Sequence, residues 1–268
     1  MKKFEKVLLV SDFDGTLNDD NGAPHQSVYE AVKYFCDNGG LFTLSSGRTY
    51  QAMKHYDTVR LFNAPALLCN GSVAYDFAKK EFAFFDGIDK DAVDFIRDIH
   101  NKFPDASIEM YAHDATFAIN LTEKTERHFT SQSIPFKAIE DPSDADAPWG
   151  KVMIGCTHET TAEIQRYIAA NYADPVFLPT TGSFIEVLKK GVNKGTALLK
   201  LADCLSVPHD RAYSIGDGYN DVDMLVAAKA GFVPCNGSQE ALRVADYVVR
   251  SNNDGAVTHA IEILDSIY

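Results

Sequence analysis

Acidic side chains stand in this chain where acids are costly. Residues 7–16 read VLLVSDFDGT, an apolar run that leads straight into Asp12 and Asp14. Two carboxylates at the mouth of a buried strand repel each other and lose hydration, so something must compensate them. Two further acids, Asp217 and Asp221, lie in GDGYND (216–221), and Lys194 lies in VNKG (192–195). The stretch LSSGR (44–48) adds Ser46, Gly47 and Arg48. An oxygen-rich set with no Cys or His ligand pattern suits a hard divalent cation such as magnesium, and Lys194 brings a second positive charge. Together these residue types form a set for phosphoryl transfer. A carboxylate can act as nucleophile through an aspartyl-phosphate. A cation and an ammonium can carry charge on the transferring group. A second carboxylate, its pKa raised by its neighbour, can give the leaving oxygen a proton.

Residues so far apart in sequence converge only if the elements bearing them end at one place. KVLLVSD, LFTLSS and PALLCNG read as short buried strands, and HQSVYEAVKYFCDNGG and RTYQAMKHYDTVR as helices between them. The C-terminal part repeats this grammar, with NKGTALLKLADCLS, NDVDMLVAAKA and GAVTHAIEILDSI as helices and AYSIGD, GFVPCN and DYVVRS as strands. β-α-β order predicts a Rossmann-like parallel sheet covered by helices, whose ligands bind outside the carboxyl ends of the strands. The middle differs. SIEMYA, ATFAINL, KVMIGC and FIEVL are strand-like, DAVDFIRDIHNKF and ETTAEIQRYIAANY are amphipathic helices, and EDPSDADAPWG reads as a surface loop. The expectation is an α/β core of residues 1–84 and 183–268, interrupted by an α+β cap domain at 85–182.

The bulk numbers agree with a globular enzyme. The 268 residues are 46% hydrophobic and 24% charged, enough for a large core. A formal net charge of −13 argues against a general nucleic-acid binder and requires that any bound phosphate be neutralised locally. The five cysteines are odd in number and form no C-x-x-C, which reads as reduced structural thiols. VLLV is too short for a signal sequence and no apolar run approaches a membrane span, so a cytoplasmic protein without membrane partners is expected.

DFDGT, the S-G-R element, VNKG and GDGYND, in this order, resemble the four motifs of the haloacid dehalogenase superfamily. The long late insert, the Asn-Gly after the third strand, and FIEVLKKGVNKGTAL resemble its Cof-type subfamily with a type-two cap. The resemblance spans essentially the whole chain. It implies that Asp12 is the nucleophile and a magnesium ligand. Asp14 is then the general acid and base, with its backbone carbonyl on the metal, and Thr16 orients Asp14. It implies further that Ser46 bonds the phosphate (with Ser45 adjacent, the register can shift by one), that Phe13 to Gly15 cradle it through their backbone N–H groups, and that Lys194 holds both phosphate and Asp12. Asp217 ligates the metal, Asp221 supports it, and Asn220 contacts metal or phosphate. The substrate implied is a small phosphorylated metabolite, a sugar phosphate by analogy, and the cap is expected to close over the site and choose it.

Several residues keep two readings. Arg48 either touches substrate or pairs with a core carboxylate. Asn70-Gly71 is a hairpin turn that could also border the site. A dehalogenase has no need of a proton donor at position 14, so Asp14 weighs against that activity. A phosphomutase or a non-catalytic phosphometabolite-binding regulator stays open beside the phosphatase, as does the oligomeric state.

Overall fold

The computed structural model describes residues 2–172, 176–179 and 183–268, the backbone alone at 176–179. The chain divides into two compact units: Met1–Arg48, Tyr56–Phe84 and Asn193–Tyr268 form the first, and Thr49–His55 with Phe85–Val192 form the second. The boundary read at residue 182 lies outside the described residues. The second unit continues to Val192, and its strand Phe184–Leu188 pairs with Trp149–Gly155 of that same unit.

The first unit is built on an eight-stranded sheet. Its strands are β1 (Leu8–Asp12), β2 (Leu41–Ser45), β3 (Ala66–Leu68), β4 (Val73–Asp76), β5 (Glu81–Phe85), β12 (Ala212–Ile215), β13 (Gly231–Pro234) and β14 (Tyr247–Val249). Their order is β14-β13-β12-β1-β2-β3-β4-β5. Every pair from β14 to β3 is parallel, and β4 folds back antiparallel on β3. Residues 8–12 are all buried, as a central parallel strand requires. Along β1 alternate residues Leu8 and Val10 pack with Leu198, Leu201 and Ala202 of the helix Lys194–Cys204.

Register decides what meets at the carboxyl end. Asp12 pairs with Ser45 on β2, and Ser11 with Ile215 on β12. The residues that follow each strand, namely Phe13, Ser46 and Gly216–Asp217, therefore emerge side by side. Lys194 opens its helix behind a reciprocal cap: the Asn193 side chain accepts from Thr196 N at 2.8 Å, and the Thr196 hydroxyl accepts from Asn193 N at 3.1 Å. A lysine in the first turn opposes the helix dipole, so its place there has to be explained by its partners.

The second unit carries a six-stranded sheet of β6 (Ser107–Ala112), β7 (Thr116–Ile119), β8 (Lys137–Ala138), β9 (Trp149–Gly155), β10 (Val176–Pro179) and β11 (Phe184–Leu188), in the order β10-β11-β9-β6-β7-β8. Ile108, Met110, Val152, Ile154 and Ile185 pack with Ile96 and Ile99 of the helix Val93–Lys102 and with Ile164 and Ile168 of the helix His158–Asn171. Intervening residues turn the other way, among them Glu109, Tyr111, Lys151, Met153 and Glu186, all buried. Glu109 accepts from the Tyr111 hydroxyl at 2.5 Å and contacts His128 Nδ1 at 3.0 Å.

Two expectations need correction. RTYQAMKHYDTVR is not one helix: an α-helix covers only Tyr50–Met53, and a 3-10 turn follows at Asp57–Leu61. The break leaves Tyr56 extended, its ring edge-on to Phe13 at 5.1 Å, while Ala52 packs with Tyr111, Phe129 and Met153 of the second unit. A third helix of the second unit, Glu123–Ser131, went unread because only Thr125 and Phe129 on it are buried, too few for an apolar period. The fold class otherwise follows the reading, a Rossmann-like α/β core with an inserted α+β unit. The five cysteines are free thiols. No helix among the described residues is long and apolar enough to cross a membrane.

Gly195 sits where the helix start meets the backbone of Asp223. A Cβ there would come within 2.4 Å of the Asp223 carbonyl oxygen. Gly195→Ala is therefore expected to lower stability by about 1–3 kcal/mol through overpacking, read from the midpoint of urea unfolding; an unchanged midpoint would show that the helix start can yield.

Candidate active site

Lys194 occupies the centre of the site. Its side chain is 1% exposed, and its ammonium lies 2.5 Å from Asp12 Oδ1 and 2.6 Å from Asp221 Oδ1. These two ion pairs explain the lysine at a helix start: two buried carboxylates outweigh the unfavourable dipole. Burial pulls the Lys194 pKa down, but the Asp12 and Asp221 carboxylates more than reverse this and leave it above its ordinary value.

Asp12, Asp217 and Asp221 each offer a carboxylate oxygen, and these oxygens lie within 4.8 Å of one another. When all three are ionised, three carboxylates against one ammonium leave two negative charges unmatched, a deficit that a divalent cation would fill. An all-oxygen donor set fits a hard ion. Burial, with the Asp221 charge next, pushes the Asp12 carboxyl well above the usual range against the pull of Lys194. Asp217 is raised too, again by burial first, although a hydrogen bond from Thr16 works the other way. Asp221 is engaged on both oxygens, since Oδ2 accepts from Gly218 N at 2.8 Å. That leaves Asp12 and Asp217 as the better-exposed donors and Asp221 as their support.

The loop after β1 shapes this crevice. Gly15 has φ +83°, and a Cβ on it would fall 2.7 Å from Asp217 Oδ2; both its turn and the nearness of Asp217 require glycine. The Thr16 hydroxyl donates to Asp217 Oδ1 at 2.5 Å. This corrects the role implied for Thr16: it orients Asp217, not Asp14. Sequence distance hid the pairing, because the two residues meet only through the β1–β12 register.

Asp14 is held by Arg48 instead. Arg48 Nε and Nη2 donate to the two Asp14 oxygens, each at 2.9 Å, and Nη1 donates to the Tyr56 hydroxyl at 2.9 Å. The guanidinium also lies 5.5 Å from the Phe13 ring centre and 5.3 Å from that of Tyr56. Of the two readings of Arg48, carboxylate pairing is the one observed, with Asp14 as partner. The Asp14 side chain is exposed and stands outside the three-carboxylate cluster. Phe13 is fully buried, so its ring belongs to the core.

Ser46 and Asn220 complete the rim. The Ser46 hydroxyl accepts from Arg48 N at 3.2 Å, tightening the S-G-R loop, while the neighbouring Ser45 hydroxyl is buried without a hydrogen-bond partner. Asn220 Nδ2 donates to Asn70 Oδ1 at 3.3 Å, and a Cβ on Gly47 would lie 3.1 Å from Asn70 Nδ2. Asn70-Gly71 thus forms the turn between β3 and β4 and borders the site as well. Both readings of Asn70-Gly71 therefore hold. Tyr56 is the residue that sequence reasoning missed, and nothing local marks it.

A family model described as haloacid dehalogenase-like hydrolase matches residues 9–261. The chain belongs to the haloacid dehalogenase-like hydrolase family. It is 23% identical over 272 residues to the 5-amino-6-(5-phospho-D-ribitylamino)uracil phosphatase YitU of Bacillus subtilis, covering 95% of this chain and 96% of that protein. Among solved structures it is similar to a haloacid dehalogenase-like hydrolase from Bacteroides thetaiotaomicron, at 21% identity and TM-score 0.85, covering 96% of this chain and 99% of that one. It is also similar to the subclass IIB sugar phosphatase BT4131, at 16% identity and TM-score 0.83, with 97% and 99% covered. The core with its inserted cap is the fold of this family, and the chain is a phosphoric monoester hydrolase of its Cof type.

The raised carboxyls make a pH-dependent prediction. Above the ordinary value of 3.8 the folded chain holds protons on Asp12 and Asp217 that the unfolded chain has lost. Metal-free stability therefore falls as pH rises through the raised values. If a divalent cation binds the ionised carboxylates, the gain in Tm from magnesium over chelator is expected to grow as pH rises from the ordinary carboxyl value through the raised ones. A gain equal across that range would show that both groups ionise without the metal.

Proposed function

We propose that this hydrolase is a magnesium-dependent phosphatase that cleaves a small sugar phosphate through an aspartyl-phosphate on Asp12. The observation that carries the reading is the Lys194 ammonium buried between Asp12 and Asp221, with Asp217 beside them. In water such acids would stay apart; here they share one cation and call for another. The printed names of the relatives, a phosphatase for a 5-phospho-D-ribitylamino uracil and a sugar phosphatase, support a small phosphorylated carbohydrate-like substrate.

In this mechanism one Asp12 oxygen attacks phosphorus while Lys194 draws off negative charge. The ester P–O bond breaks and its electron pair leaves with the alcohol oxygen, which takes a proton from the Asp14 carboxyl. Asp14 then removes a proton from water, the resulting hydroxide attacks phosphorus, and inorganic phosphate departs as Asp12 is restored. Magnesium, held by Asp12 and Asp217 with Asp221 in support, supplies electrostatic stabilisation of the phosphoryl oxygens when bound. Ser46 and the backbone of Phe13 to Gly15 cradle the phosphate; Arg48 clasps the ionised Asp14 carboxylate on both oxygens, and Asp14 leaves that clasp when it carries the proton.

Asp12→Asn is expected to cut magnesium-dependent hydrolysis of an aryl phosphate by about a thousandfold or more while the protein stays folded by circular dichroism. Activity near wild type in that variant would remove the nucleophile. Asp14→Asn is expected to slow alkyl phosphates more than aryl phosphates, since the poorer leaving group needs the proton most; equal slowing would contradict the acid role. An isomeric sugar phosphate formed without inorganic phosphate would redirect the assignment to a mutase.

A further inference from the structure

The turn between β3 and β4 is strained. Cys69 and Asn70 both have φ +51°, and Gly71 follows at φ +105°. Consecutive left-handed residues that are not glycine are costly and persist where their surroundings hold them. Asparagine tolerates this conformation; cysteine, with no such side chain, tolerates it less well.

What holds the turn is the phosphate site itself. Cys69 N donates to Arg48 O, and Asn70 N to Ser46 O, each at 3.0 Å, so the turn clasps the S-G-R loop by its backbone. Gly71 lies against the start of the Lys194 helix, where a Cβ would come within 2.5 Å of the Asn193 carbonyl oxygen. The Asn70 side chain, more than nine-tenths buried, rests on Gly47 and accepts from Asn220 Nδ2 at 3.3 Å. Three separate segments of the site thus meet on one strained turn, and Asn70 is the member that offers a side chain to it.

We propose that Asn70 is a positioning residue of the phosphate site. By accepting from the Asn220 amide it sets which end of that amide faces the turn bearing Asp217 and Asp221, and by its backbone it fixes the Ser46–Arg48 loop. This rests on the phosphatase reading above. A turn that needed asparagine only for its backbone would be served equally well by glycine, which adopts φ > 0 at no steric cost. Asn70→Gly therefore separates the two roles.

The test is a double-mutant cycle of Asn70→Gly and Asn220→Ala. Asn70→Gly is expected to keep or raise the Tm while lowering kcat/KM on an aryl phosphate by about tenfold, and the double variant to be no worse than Asn220→Ala alone within about twofold. Wild-type kcat/KM in Asn70→Gly, or losses that multiply in the double variant, would overturn the role. The same cycle is read on inorganic phosphate binding with magnesium by calorimetry. An inactive wild type would sink the phosphatase reading by itself. Asn70 would still be decided there, because equal phosphate affinity in wild type and Asn70→Gly overturns the positioning role.

Discussion

One buried ammonium organises the first unit. Lys194 is all but inaccessible, and its two carboxylate partners come from neighbouring strands, Asp12 from the end of β1 and Asp221 from the turn after β12. Removing charges from water is expensive, and a buried pair holds only if its remaining donors and acceptors are satisfied. Here they are satisfied in part by the chain: Asp221 takes Gly218 N, and Asp217 takes Thr16. What the chain leaves unmatched is negative charge, and that imbalance is the support for the proposed cation and phosphate site.

The same constraint explains where small residues must be. Gly15 lets the first loop pass Asp217, and Gly216 lies so close to Asp221 that a Cβ would meet its carboxyl carbon at 2.5 Å. Gly71 and Gly195 allow the turn after β3 and the backbone of Asp223 to approach the lysine helix. Side chains at these positions would push the carboxylates or the ammonium apart, and each added ångström weakens the attraction that offsets their burial. Local rules are broken here, with a lysine opposing a helix dipole and two left-handed non-glycine residues in succession, while the surrounding sheet obeys them.

The second unit shows a different use of buried charge. On the sheet face opposite the helices Val93–Lys102 and His158–Asn171, Glu109, Lys151 and Glu186 are buried on neighbouring strands, with Lys151 Nζ 3.5 Å from Glu186 Oε2 and 5.3 Å from the Tyr111 ring centre. The strands SIEMYA, KVMIGC and FIEVL were legible from their apolar residues. Nothing within those strands marks their charged members as buried, because alternation says which residues share a face and is silent on what covers that face.

By itself the sequence determined the α/β class, the interruption by an α+β segment and the choice of Asp12, Asp217, Asp221 and Lys194 as residues that converge. These are carried by short-range patterns: apolar runs, helical spacing and compact motifs at strand ends. Only the tertiary structure decided that Thr16 serves Asp217, that Arg48 clasps Asp14 against Tyr56, that the predicted helix after Arg48 breaks, and that Asn70 joins the site. Each of these depends on strand register or on contacts between residues distant in the chain. A one-residue change of register would redirect every side chain involved, and no local propensity records that choice.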